Sequence, residues 1–297
     1  MKTTRKAAVF AGALLAAASA WGQANTVIIT RTEQFVQTGP NSGTDLNPVS
    51  ATPFYFTAAI EGLSSGTGTL TLPDGTTTYS LTSTGSRLLY TSGNFASAGA
   101  LTTAFPDSAD TATPPTAPFY TVATPGGAQT AALGLSSDSG SLNAPFVTLT
   151  GGGWAGGTYV FNPANTVTIS FNLISGASGN FHYNADVNGA GLGGAGPSNF
   201  IAGSTAPMTF NLQDIGTPIA GNTYTIEVGY DYIQFYNPDA FGDSSNVTGA
   251  GLYEYRTTVN LMAVPEPAST AALLGGLALA AALWRRRKPD LAPAAQP

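Results

Sequence analysis

The chain has 297 residues, no cysteine and a formal net charge of −6 at pH 7. The lack of cysteine excludes disulfides, thiolate catalysis and cysteine-ligated metals, so stability must come from the burial of apolar surface. Segment 25–263 alone carries three arginines, no lysine and fourteen acidic residues, a formal charge of −11. Such a surface repels nucleic acid and anionic lipid, which excludes a nucleic-acid partner.

The N-terminal segment 1–24 has the pattern of a secretory signal peptide. A basic beginning precedes an apolar run at 7–18, and small residues allow cleavage by signal peptidase after Ala20 or after Ala24. The apolar run is shorter than the roughly twenty residues of a membrane-spanning helix. We prefer Asn25 as the first mature residue, and an uncleaved N-terminal anchor is the alternative.

Between residues 25 and 263 the sequence predicts short β-strands separated by turns. The clearest strand lies at 167–173, where apolar and polar residues alternate, and the clearest hairpin lies at 67–81 around Pro73-Asp74-Gly75. Further predicted strands lie at 26–30, 53–60, 119–122, 146–149, 158–161, 181–183, 208–212, 224–235 and 252–261.

These strands predict an all-β fold, a β-sandwich of jelly-roll type with roughly ten to fourteen short strands. Helix is expected to be rare outside the N-terminal signal helix and a C-terminal transmembrane helix. The proline-rich stretch 92–145 is either a surface excursion, which we favour, or a boundary between two subdomains. The glycine-rich stretch 189–196 has a GxGxxG-like spacing but no following helix, so we predict a flexible loop without nucleotide-binding function.

Few residues in this domain are suited to catalysis. His182 is the only histidine, and no nucleophile motif accompanies it, so a hydrogen-bonded or surface strand histidine is expected. Glu227 and Glu254 are the carboxylates that a secreted glycoside hydrolase would require as a pair. We expect the chain not to be an enzyme, and hydrolysis is the weaker alternative.

Carbohydrate binding is a second hypothesis for the domain. Aromatic side chains can form platforms for sugar rings, and four tyrosines of the last two predicted strands are the candidates: Tyr230, Tyr232, Tyr253 and Tyr255. The alternative is that these rings pack in the core.

Structural calcium is the one cofactor that the sequence suggests. Hard cations prefer carboxylate and amide oxygens in glycine-rich loops. Asp186 and Asn188 occur in one such segment, and Asp239 and Asp243 occur in another. Neither segment matches an EF-hand loop, and both residue types are also common in turns.

The C-terminal segment has a different construction. Val264-Pro265-Glu266-Pro267 precedes an apolar stretch at 268–284, which would form a helix of roughly 25 Å, near the short limit for a membrane span. The basic cluster Arg285, Arg286, Arg287 and Lys288 follows. Because basic residues stay on the cytoplasmic side, the domain would face outward and residues 289–297 would form a cytoplasmic trailer.

This order of motifs, within 264–288, resembles the PEP-CTERM sorting signal of Gram-negative bacteria. The same kind of tail is also known as the ice-binding protein C-terminal domain, but this name is no evidence for ice binding, which would need flat, regularly spaced ranks of threonine. The resemblance implies recognition by an exosortase, a membrane-embedded cysteine transpeptidase-like enzyme, with processing near Pro265-Glu266-Pro267 after transient residence in the inner membrane. An ordinary C-terminal anchor is the alternative.

The sequence therefore predicts an exported surface or extracellular-matrix protein with a structural or adhesive role. The family resemblance also implies an association with exopolysaccharide or biofilm, which makes extracellular polysaccharide a candidate partner.

Overall fold

The computed structural model describes most of the domain and part of the C-terminal segment. The described residues are 27–63, 65–108, 119–125, 127–131, 133, 142–172, 180–202, 207–236, 249–265 and 275–283. The predicted signal peptide, 1–24, lies outside them.

Within the described residues, seventeen strands follow one another in chain order. One short α-helix lies between the sixth and the seventh strand, and a 3-10 helix, Leu212–Asp214, lies between the fifteenth and the sixteenth. The strands before the helix are β1 (Val27–Gln37), β2 (Leu46–Pro48), β3 (Phe54–Glu61), β4 (Gly68–Thr71), β5 (Thr78–Ser83) and β6 (Arg87–Thr91). The helix α1 is Ala98–Ala104. The strands after it are β7 (Tyr120–Thr124), β8 (Gly127–Ala131), β9 (Val147–Thr150), β10 (Gly152–Ala155), β11 (Thr158–Phe161), β12 (Thr168–Phe171), β13 (Asn180–Gly189), β14 (Leu192–Ala202), β15 (Met208–Asn211), β16 (Thr223–Tyr236) and β17 (Gly249–Ala263).

Most strands belong to one 14-stranded sheet in the order β14-β13-β16-β17-β1-β3-β6-β5-β4-β7-β8. Strands β2, β10 and β11 join it beside this path, and β15-β12-β9 form a separate three-stranded sheet. β1 and β11 pair with β17 in parallel, whereas the other described pairs are antiparallel. The expected jelly roll is an antiparallel arrangement, so this strand order departs from it.

The long sheet curls so that its last strand returns to its middle. β8 lies against β1, β16 and β17, and Gly249 of β17 packs closely enough against Ala131 of β8 that a Cβ there would clash. The curled sheet encloses an apolar core, and strands from both halves of the chain contribute residues to it. The fold is therefore mostly β and sandwich-like.

Aromatic rings fill one end of this core. Phe56 stacks on Phe105 with ring centroids 4.1 Å apart and lies 5.4 Å from the ring of Tyr120. The helix α1 places Phe105 there, and the Ser97 hydroxyl caps α1 by accepting a hydrogen bond from the amide of Ala100.

A buried amide ties the small sheet to the large one. The Gln37 side chain donates to the Val147 carbonyl at 2.7 Å and accepts from the Val147 amide at 2.9 Å. Both backbone groups at the start of β9 are thereby satisfied, although β1 and β9 belong to different sheets.

The predicted hairpin at 67–81 is confirmed as β4 and β5, with Leu70 and Leu81 buried. The prediction of a flexible loop at 189–196 is wrong over most of its length, because β14 begins at Leu192 and pairs with β13. Its glycines carry no alternating side-chain pattern, so only the pairing with β13 identifies the strand.

Candidate functional site

The domain ends where the sorting segment begins. β17 pairs with β16 as far as Met262 and with β11 as far as Ala263. The amide of Val264 then donates to the Phe161 carbonyl at 2.8 Å. Pro265 follows, and it is exposed and has no amide hydrogen with which to continue the ladder. The last described backbone hydrogen bond of the domain is therefore made by Val264, immediately before the first proline of the Pro-Glu-Pro motif.

Only part of the remaining segment is described. Residues 275–283 are helical and exposed, and Leu277, Leu279 and Leu283 are more than half exposed. No helix within the described residues is long and apolar enough to cross a membrane. Glu266, Pro267 and the cluster Arg285, Arg286, Arg287 and Lys288 lie outside the described residues.

The strands that precede this segment have two different faces. Tyr232, Tyr253 and Arg31 form one row of register partners across β16, β17 and β1, and they point into the core. The neighbouring row, Asp231, Glu254 and Thr32, points to the opposite face because successive side chains alternate.

A charged cluster occupies that opposite face; it consists of Thr32, His182, Asp231, Glu254 and Arg256. Arg256 Nη2 lies 2.8 Å from Asp231 Oδ1 and also bonds Glu254. Thr32 Oγ1 donates to Glu254 Oε2 at 2.7 Å, and His182 Nδ1 lies 3.3 Å from Asp231 Oδ2. His182 is thus a buried, hydrogen-bonded strand residue.

Arg256 forms ion pairs with two carboxylates in this charged cluster, those of Asp231 and Glu254. Burial raises the pKa of Glu254 more than the attraction to Arg256 lowers it, and Asp231 raises it further. Burial lowers the pKa of Arg256, but Asp231 and Glu254 raise it, with a net increase. The Arg256 side chain crosses the sheet over Gly229, where an added Cβ would clash with it. Glu254 is therefore held by Arg256 and Thr32 instead of facing an open catalytic cleft.

The four candidate tyrosines do not form an exposed sugar platform. Tyr230, Tyr232 and Tyr253 are at most 3% exposed, and Tyr255 is 8% exposed. Their rings pack inside the sandwich, with Tyr230 and Tyr255 stacked at 5.1 Å between centroids. Two of the hydroxyls donate hydrogen bonds of 2.6 Å: that of Tyr230 to the Asn143 carbonyl, and that of Tyr253 to Asp107 Oδ1. Ring burial with a satisfied hydroxyl is the usual way in which tyrosine contributes to a core.

The calcium candidates are only partly described. Asp186 and Asn188 lie on β13, next to a register shift between Asn184 and Asp186, and Asp186 is the register partner of Glu227. Asp239 and Asp243 lie outside the described residues. Within the described part of the chain, no three histidine, aspartate or glutamate side chains are grouped as metal ligands would be.

A cleft of about 570 Å³ opens at the core-facing side of β1, and we call it the Glu33 cleft. Its lining comes from β1, β17, Ser42 and Leu46 before and at the start of β2, and the segment before β9. The Tyr230 hydroxyl donates to the Asn143 carbonyl in that last segment. Its lining includes Glu33, Phe35, Ser42, Asn143, Phe146 and Tyr255. Of the four candidate tyrosines, Tyr255 contributes to this lining.

The carboxylate of Glu33 is unusual within this cleft. Burial raises its pKa, whereas Arg31 and a hydrogen bond from Tyr255 lower it by less. Arg31 is engaged elsewhere, since it pairs with Asp107 at 2.8 Å, donates to the Phe105 carbonyl and lies over the Tyr253 ring. Glu33 itself has no ion-pair partner among the described residues.

Sequence reasoning missed Glu33, and it named His182 and Glu254 without grouping them in a charged cluster, although signals for both exist. Val27 and Ile29 begin an alternation that continues through Arg31 and Glu33, so charged residues fall at core-facing positions. Glu254 and Arg256 are two residues apart in a strand, which places them on one face. A charge at an inward position is the signal that would have identified the cleft.

The comparison with protein families supports the sorting function. Residues 263–288 match the PEP-CTERM protein-sorting motif. This motif indicates an exported protein that is targeted to an exosortase, with transient anchoring in the membrane on the way to the cell surface. The comparison with curated proteins gives no match.

Proposed function

We propose that the chain is a non-enzymatic protein of the cell surface or extracellular matrix, with a structural or adhesive role linked to exopolysaccharide or biofilm. The observation that carries the proposal is the junction at Val264. The seventeen strands of the described residues all precede it, and the match to the sorting motif begins at residue 263. Processing within the Pro-Glu-Pro segment would thus release the folded domain without breaking a strand.

The surface charge and the buried carboxylates support this role. The domain has a formal charge of −11 and no lysine, so uronic-acid or phosphate-rich polymers would be repelled and neutral or cationic polymers would be tolerated. Glu254, one of the two residues considered for hydrolysis, is bonded to Arg256 and Thr32. The proposal includes signal peptidase cleavage within 1–24 and a membrane-spanning helix at 268–284.

A deletion strain tests the role. Cells that lack the gene would be complemented either with the wild-type chain or with a variant carrying Pro265→Ala, Glu266→Ala and Pro267→Ala. We expect the wild-type chain to restore adhesion and matrix cohesion, and the variant to accumulate in the inner membrane without restoring either. Unchanged adhesion and cohesion in the deletion strain would contradict the structural or adhesive role.

Carbohydrate binding is a second candidate function, and the Glu33 cleft favours it. The cleft combines phenylalanine rings with a carboxylate, a hydroxyl and an amide, which is the mixture of apolar surface and few polar groups that small-ligand sites share. It replaces the tyrosine groove as the surface on which sugar binding should be tested.

A further inference from the structure

The Glu33 cleft has the size and lining of a ligand site. Its volume of about 570 Å³ lies within the roughly 300–1,000 Å³ range of small-molecule pockets. The neighbouring strands fix its position, because Glu33 is the register partner of Tyr255 on β17 and of Phe54 on β3. The carboxylate therefore projects from a rigid sheet.

The charge balance of the cleft favours a cation. Glu33 is half-buried, and Arg31, the nearest arginine along β1, is paired with Asp107. Burial disfavours the ionised carboxylate by more than Arg31 and the Tyr255 hydroxyl favour it, and a cation bound in the cleft offsets this remaining cost. The formal charge of −11 on the domain attracts cations and repels anions over a longer range.

The remaining lining specifies what should surround the cation. Phe35 and Phe146 are half-buried and offer apolar ring surface, which packs against sugar carbons and also attracts ammonium groups. Ser42 and Asn143 are exposed and offer a hydroxyl and an amide for hydrogen bonds. Together these groups match a ring that carries one ammonium and several hydroxyls.

From this lining we infer that the Glu33 cleft binds a hexosamine unit with a free, protonated amine, within an extracellular polysaccharide. The ammonium lies against the Glu33 carboxylate, the sugar ring packs on Phe35 and Phe146, and the hydroxyls bond Ser42 and Asn143. This inference rests on the adhesive role proposed above and names its ligand class. Because the ammonium stabilises the ionised carboxylate, binding also lowers the pKa of Glu33.

Calorimetric titration of the purified full-length chain tests the inference. The probe is a glucosamine oligomer at about pH 6, where an amine of the α-amino kind is protonated. Oligomers of N-acetylglucosamine and of glucose, with the same number of units, are the comparison ligands. Because a charged hydrogen bond contributes about 1.5–3 kcal/mol, we expect them to bind roughly ten- to hundredfold more weakly.

Two isosteric substitutions separate the cleft from general charge attraction. Glu33→Gln should weaken binding of the glucosamine oligomer by the same roughly ten- to hundredfold factor. Asp214→Asn removes the same charge at an exposed residue outside the cleft lining and should retain wild-type affinity. Thermal melting of each variant verifies the fold, and Phe146→Ala, which leaves the charge unchanged, should also weaken binding.

The inference is overturned if the wild-type chain does not bind the glucosamine oligomer, if the acetylated oligomer binds equally well, or if Glu33→Gln and Asp214→Asn have equal effects. A failure of this kind, in a protein that still restores adhesion to the deletion strain, would leave the proposed function in place. Loss of the adhesive role with intact amine binding would instead contradict the proposed function alone.

Discussion

The domain at 27–263 and the sorting segment at 264–288 are built on different principles. The domain is held together by strand pairing and a shared core, and the buried charges of Asp231 and Arg256 are paired. Where the sorting segment is described, it contributes one backbone hydrogen bond from Val264, an exposed proline and an exposed helical stretch at 275–283. Stability should therefore depend on the domain, whereas cellular location should depend on the sorting segment.

The largest expected loss of stability follows from Arg256→Met in the charged cluster. This substitution leaves the carboxylates of Asp231 and Glu254 without their shared cation. Removing one partner from a buried ion pair costs about 3–5 kcal/mol. Urea unfolding should show this loss. A triple variant with Arg256→Met, Asp231→Asn and Glu254→Gln should recover a substantial part of it, and no recovery would contradict the electrostatic explanation.

Gly229→Ala should have a smaller effect in the same region. Its Cβ would clash with the Arg256 side chain and lie 2.8 Å from the Tyr255 carbonyl oxygen. Overpacking of this kind costs roughly 1–3 kcal/mol. Gly153→Ala in β10 is the matched control, since nothing lies within 4 Å of its Cβ position. Equal unfolding midpoints for the two variants would show that the crossing of Arg256 over Gly229 is unimportant.

Glu33→Gln should produce a pH-dependent difference of smaller size. Burial raises the pKa of Glu33, so the folded state holds this proton more tightly than the unfolded state does. Wild-type stability relative to the variant should therefore fall as the pH rises from the unfolded pKa through the higher folded pKa. We expect less than about 1 kcal/mol because water screens the half-buried group.

The charged and titratable groups around Glu33 also affect its pKa and therefore the pH dependence of stability. Arg31 on the same strand lowers its pKa, as does the Tyr255 hydroxyl on β17, and Asp107 faces both Arg31 and Tyr255. Chemical unfolding measured across the acid range should give converging stabilities for the wild-type chain and the variant below the unfolded pKa. A difference that is independent of pH would assign the effect to packing instead.

The smallest expected effect on stability belongs to Glu266→Ala in the sorting segment. The strands end before this residue, so the free energy of unfolding should change by less than about 0.5 kcal/mol. Fractionation of the host should nevertheless show retention of the variant at the inner membrane. Asp214→Asn, an exposed substitution in the domain, should leave both location and stability unchanged.

How much the sequence predicts depends on whether the pattern is local. The alternation at Val167, Ile169 and Phe171 predicts β12 because each inward residue is apolar. The turn at Asp74 predicts the hairpin because the Asp74 carboxylate accepts hydrogen bonds from the amides of Thr76 and Thr77. β14 was missed because glycine has no side chain to alternate. The parallel pairing of β1 with β17 joins residues over two hundred positions apart in the chain, and no local pattern specifies such a pairing.

The functional predictions also depend on whether the residues of a site are close together in the sequence. The sorting motif lies in consecutive residues, Val264 to Lys288, and the family match confirms it. The Glu33 cleft is assembled from β1, β17 and the segment before β9, so its parts are distant in sequence. Tyr230 and Tyr232, like Tyr253 and Tyr255, are two positions apart and so lie on one face of their strand, but this spacing does not specify that the face is the inner one.

The most direct test of the separation between domain and sorting segment is the intact mass of the protein recovered from its own host, together with its cellular fraction. We predict a mass that ends near Pro267, in material found outside the inner membrane. A mass that extends to Pro297, in the inner-membrane fraction alone, would contradict processing and make the C-terminal segment an ordinary anchor.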